Sequence, residues 1–89
     1  MNAPARLDRI PLDRLAIGLP AKIVAIDWEA LDQGDAARLR NFGFDEGVRV
    51  ESLHSGPFGR DPLAIRVGRM TVAIRRKHAA AIAVLPLAL

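Results

Sequence analysis

The chain has 89 residues, 13 of them Lys or Arg and 10 Asp or Glu, for a formal charge of +3; 51% are hydrophobic, but only Trp28, Phe42, Phe44 and Phe58 are aromatic. A chain this short forms one domain, buries roughly 60–65% of its unfolded surface and must fill its core with Val, Ile, Leu and Ala. The lack of cysteine excludes disulfides, thiolate metal sites and cysteine nucleophiles.

Residues 1–10 carry charges where a signal peptide would have its apolar run, and no stretch approaches the ~20 apolar residues of a membrane span. A cytosolic protein with a flexible tail over residues 1–10 and one domain over 11–89 is expected. Pro11–Leu15 can make one helical turn, with proline at the position whose N–H is unpaired anyway, until Gly18 and Pro20 break it. Residues 21–28 read as a strand with Val24, Ile26 and Trp28 on one face and Ala21, Ile23 and Ala25 on the other. Both faces are apolar, so the strand should be central.

A helix is expected over 35–42, capped by Asp32 or Asp35 and carrying Ala36, Leu39 and Phe42 at helical spacing. Gly43 suits the left-handed position beyond its end, with Phe44 folding back onto Leu39 in a Schellman-type stop. Asp45-Glu46-Gly47 should then turn the chain into a second strand at 48–54. Its alternation slips from Val48 and Val50 to Leu53, which a bulge at Glu51–Ser52 would repair. Residues 55–62, with two Gly and two Pro, read as a loop. Phe58 at its tip is either a lid over the core edge, the more common outcome, or an exposed contact.

Residues 63–75 carry the clearest pattern. Gly68-Arg69 suits a two-residue type II′ turn, which pairs Val67 with Met70, Ile65 with Val72 and Leu63 with Ile74 on one apolar face. Ala64, Arg66, Thr71, Ala73 and Arg75 fall on the other. Residues 76–81 are helix-prone, and 82–85 supply a last strand before Pro86. Five strands, one moderate helix and one or two short helical turns point to a mainly β, closed or nearly closed barrel.

Chemistry is hard to place on this chain. His54 and His78 lie in no metal-binding spacing; His54 with Glu51 or Asp61 offers too few ligands for a structural site, and both histidines read as surface residues. Ser52 and Ser55 lack a nucleophile-elbow context. The stretch GPFGRDP lacks the ending of a phosphate loop. No enzyme, metal or cofactor is expected. Charge is uneven: residues 1–47 hold six basic against eight acidic side chains, and residues 48–89 hold seven against two. A balance of +5 in the second half suits an acidic partner. Phe58, Arg60, Arg66, Arg69 and Arg75 are the candidate contact residues, aromatic and arginine side chains being the ones that most often dominate interfaces. A small nucleic-acid-binding barrel is the alternative, weakened by the shortage of aromatics on which bases could stack.

Three segments together resemble a known family: PLDRLAIG; RLRNFGFDEG with Leu39, Gly43 and Gly47; and DPLAIRVGRMTVAIRRKHAAAIAV with Pro62, Gly68, Ile74, Arg75, Ala79 and Ile82. In this order, over residues 11–85, they resemble FeoA, the accessory protein of bacterial ferrous-iron uptake. They also resemble the related SH3-like domain of iron-dependent repressors of the diphtheria-toxin-repressor type. Glu46, Phe42, Phe44 and His78 depart from the family pattern. The resemblance implies a small SH3-like five-stranded barrel without catalytic residues. Its partner would be the cytosolic domain of FeoB, the membrane transporter and GTPase, and it would meet the membrane only through that partner.

Overall fold

A computed structural model describes residues 8–87. Six antiparallel strands form one strongly bent sheet: β1 (Ile10–Pro11), β2 (Pro20–Ile26), β3 (Arg49–Phe58), β4 (Asp61–Val67), β5 (Met70–Ile74) and β6 (Ile82–Pro86). Their spatial order is β1-β6-β2-β3-β4-β5, so β2 is central, as its two apolar faces require. The barrel is not closed by pairing: among the described residues β1 and β5 remain its two edges. The sixth strand is the two-residue β1, in which Ile10 pairs with Val84 and Pro11 with Ala83. Ile10 therefore belongs to the sheet rather than to a tail. Residues 1–7 of the tail expected over 1–10 lie outside the described residues.

Helix α1 (Gln33–Asn41) connects β2 to β3, and the single turn α2 (Arg76–Ala79) connects β5 to β6. Asp32 caps α1 by accepting the Asp35 N–H at 2.8 Å. That bond holds the Asp32 carboxyl below its ordinary value of 3.8, because it favours the ionised acceptor. At the other end the Phe44 N–H donates to the Leu39 carbonyl and the Gly43 N–H to that of Arg40, both at 3.0 Å, with Gly43 at φ 95°. This is the expected Schellman stop, and Leu39 and Phe44 are both buried beneath it.

The core gathers Leu12 and Leu15 from the first 3-10 turn, Ala21, Ile23 and Ile26 of β2, Val50, Leu63, Ile65, Val67, Val72 and Ile74 of β3 to β5, and Ile82 and Val84 of β6. The hairpin register is the one the turn chemistry dictates: Val67 opposite Met70, Ile65 opposite Val72 and Leu63 opposite Ile74. Gly68 has φ 59° and Arg69 is not in the left-handed region, in keeping with a type II′ turn. Five of the six paired side chains are buried, but Met70 is 49% exposed, since it ends the strand beside the turn.

Three local expectations are corrected. Strand β2 ends at Ile26, and Trp28 opens a 3-10 turn instead. An irregularity between Ile23 and Ala25 resets the parity, so Ile26 joins Ala21 and Ile23 in the core. In β3 the register shifts between Ser52 and His54, one residue beyond the expected bulge. The core position therefore falls to Ser52, which is 1% exposed, and not to Leu53. Residues 55–62 are not a loop: β3 and β4 run on to the Phe58–Asp61 pair. The two-residue turn Gly59-Arg60 has both residues left-handed, with φ 67° and 63°, as a type I′ hairpin demands.

Candidate functional site

The long β3–β4 hairpin decides where the predicted contact residues go. Phe58 ends β3 and is 85% exposed; it is no lid, because the strand carries it past the core to the hairpin tip. Arg60 sits in the tip turn itself. Arg66 lies near the opposite end of β4, about 20 Å away at the rise of a strand, and faces Glu51 on one side and Thr71 on the other. Arg69 is in the β4–β5 turn, and Arg75 follows β5, close to the Asp61 end of β4. The five residues therefore form two groups, with Phe58, Arg60 and Arg75 toward one end of the hairpins and Arg66 and Arg69 at the other. Gly43, Gly47 and Gly68 occupy left-handed turn positions, at φ 95°, 88° and 59°.

Arg76 fastens the tip to the body. Its backbone N–H donates to Asp61 Oδ1 at 2.9 Å, its Nη1 to the Gly59 carbonyl at 2.8 Å, and its Nε approaches Asp13 Oδ2 at 3.5 Å. One side chain thus links the first 3-10 turn, the β3–β4 turn and α2. Gly56 lies so close to the facing strand that a methyl group there would strike the Asp61 carbonyl.

Between α1 and the outer edge of β5 lies a cleft of about 350 Å³. Leu39, Phe42 and Ile74 supply apolar lining, and Arg38 and Arg75 supply positive charge. Neither arginine has a carboxylate within ion-pair distance among the described residues. The Arg38 guanidinium lies 5.8 Å from the centre of the Phe42 ring. At the cleft's end His78 Nε2 is 2.9 Å from Asp35 Oδ2, a bent approach that joins α2 to α1. His78 is buried, contrary to the surface position expected for it. Its partner lies far along the chain, so no local pattern in the sequence marks it. The partners of Arg76, at Asp13, Gly59 and Asp61, are likewise distant in the chain, and its role has no local mark either. His54 is exposed. Among the described residues, no group of three or more His, Asp or Glu side chains is arranged to hold a metal ion, and no helix is long and apolar enough to cross a membrane.

The arrangement is a mainly β, SH3-like module whose polar features lie on strand ends and in one cleft. A crystal structure of an iron uptake regulatory protein, FeoA, superposes with a TM-score of 0.74 at 27% identity, covering 91% of this chain and all of that one. The zinc complex of Stenotrophomonas maltophilia FeoA, a procaryotic SH3 domain protein, gives 0.70 at 30% identity over 82% of this chain and 86% of the other. A manganese-dependent transcriptional repressor shares the fold alone, with a TM-score of 0.75 at 18% identity over 92% of this chain and 44% of the repressor. No curated protein sequence matches the chain. Residues 10–86 match the model of the FeoA domain. The chain belongs to the FeoA family, which is associated with ferrous iron transport.

Proposed function

We propose that this protein is a cytosolic accessory factor of ferrous-iron uptake that binds the cytosolic domain of FeoB and modulates its transport, catalysing no reaction of its own. The match of residues 10–86 to the FeoA domain carries this reading. The exposed Arg38, Arg69 and Arg75, unpaired among the described residues, give an acidic partner surface somewhere to dock. Contacts would come from Phe58, Arg60 and Arg75 at one end of the hairpins and from Arg66 and Arg69 at the other. Nucleic acid is the weaker partner, since bases need aromatic platforms and Phe58 alone among the described aromatics is an exposed large hydrophobic side chain. A pull-down with the FeoB cytosolic domain, with and without guanine nucleotide, tests the proposal. Retention of the domain at low salt and its loss as salt rises is the expected result; no retention in either nucleotide state removes the reading.

A further inference from the structure

The outer edge of β5 has an unused row of backbone groups. In a two-residue hairpin the residues flanking the turn exchange hydrogen bonds, and bonded pairs then alternate with non-bonded ones. Val67 with Met70, Ile65 with Val72 and Leu63 with Ile74 are thus the bonded pairs. The N–H and C=O groups of Thr71 and Ala73 point away from β4. Among the described residues no strand pairs with that side, and no other backbone group takes up these donors and acceptors. Thr71 and Ala73 are exposed.

Proteins usually guard such an edge with charge, proline or extreme shortness. Strand β5, Met-Thr-Val-Ala-Ile, has none of these within it. Its charges lie just outside, at Arg69 and Arg75, which share the outward parity of Thr71 and Ala73. Beside the strand runs the cleft to α1, with Leu39, Phe42 and Ile74 on its apolar side and Arg38 adding a third positive charge.

We propose that β5 accepts an extended acidic segment of a protein partner as an added strand. The segment would bond to Thr71 and Ala73 through its backbone, set apolar side chains toward the cleft, and place carboxylates opposite Arg69 and Arg75. Strand addition gains affinity from main-chain bonds and specificity from alternate side chains. The charges decide against a second copy of this chain. The self-pairing register that engages Thr71 and Ala73 of both copies puts Arg69 of each opposite Arg75 of the other, and like charges directly opposite are destabilising. This inference rests on the partner-binding role proposed above but does not depend on which protein supplies the segment.

The test follows amide hydrogen exchange at Thr71 and Ala73 by NMR in the whole chain. The probe is the capped peptide Glu-Val-Thr-Val-Thr-Val-Glu, with its counterpart carrying Lys at both ends as control. The acidic peptide should slow exchange at both amides while the Lys peptide leaves it unchanged. Thr71→Pro, in which the only backbone donor lost is the outward N–H, should weaken binding roughly tenfold without lowering the melting temperature by more than a few degrees. The FeoB cytosolic domain is titrated in parallel. If it fails to bind while the acidic peptide protects the edge, the FeoB reading falls and the strand-addition site stands. If it binds with an affinity indifferent to Thr71→Pro, the site is wrong and the FeoB reading survives. Equal protection by both peptides, or by neither, also overturns the site. Protection already present without a probe does so too, whether it grows with protein concentration (a second copy) or not (a segment of the same chain).

Discussion

The two edges of the sheet are built to opposite specifications. Edge β1 has two residues, one of them Pro11, which has no N–H to offer. Edge β5 has five uncharged residues, paired inward with β4 and, among the described residues, unpaired outward. Short strands and prolines are the usual means of stopping one protein from pairing with another. Among the described residues these devices protect one edge and are absent within the strand at the other. The cleft beside α1 lies at this second edge, so the unpaired backbone, the apolar lining and the free arginines coincide.

The largest effects expected separate the inward from the outward side of β5. Val72→Pro removes the donor that bonds to Ile65 and should cost on the order of 3 kcal/mol, a large share of the stability of a domain this small. Thr71→Pro, one residue away, should leave the cooperative melt nearly intact. Equal damage by both would show that the outward row is not free. Ile65→Ala, which empties a core position opposite Val72, should cost about 2–5 kcal/mol by chemical denaturation.

Next come the two turns. Gly68→Val forces a β-branched residue to φ 59° and should cost about 1–3 kcal/mol, with the β4–β5 ladder losing exchange protection first. Arg60 already holds a left-handed conformation, at φ 63°, without being glycine. Arg60→Gly should therefore raise the melting temperature by a few degrees, a gain of at most about 1 kcal/mol once glycine's extra chain entropy is subtracted. If that variant instead melts lower, the Arg60 side chain is stabilising the tip. The smallest effect is at the start of α1. The Asp32 carboxyl is lowered below 3.8 by the Asp35 N–H, so its contribution is present above that pH and fades as pH falls through the lowered value. Asp32→Asn keeps a capping acceptor and should flatten the acid side of the melting-temperature profile while leaving its neutral plateau little changed.

What the sequence made legible was local and doubly determined. The β4–β5 hairpin satisfies turn chemistry and cross-strand pairing together, and the stop of α1 is specified at Leu39, Gly43 and Phe44. The β3–β4 tip was illegible because its turn lacks the usual Asn-Gly or Asp-Gly signature and its strands contain Pro57 and Pro62. The same misreading favoured a lid over an exposed contact for Phe58 and brought Arg60 and Arg66 into one patch, although a strand separates them. Ser52 took a core position from Leu53 because a bulge moves parity by one residue, and nothing in VRVESLH fixes on which side of Ser52 it falls. The Asp35–His78 contact and the Arg76 fastening join residues far apart in the chain, and only the folded sheet brings them together.

The most direct measurement is calorimetric titration of the FeoB cytosolic domain into the wild-type chain and into the double variant Arg69→Glu/Arg75→Glu, both checked for equal melting temperature. These two arginines bracket the open edge, so reversing them should weaken binding at least about tenfold at low salt and remove most of its salt dependence. Unchanged affinity and unchanged salt dependence in the folded double variant would contradict the assignment of β5 as the partner-facing edge.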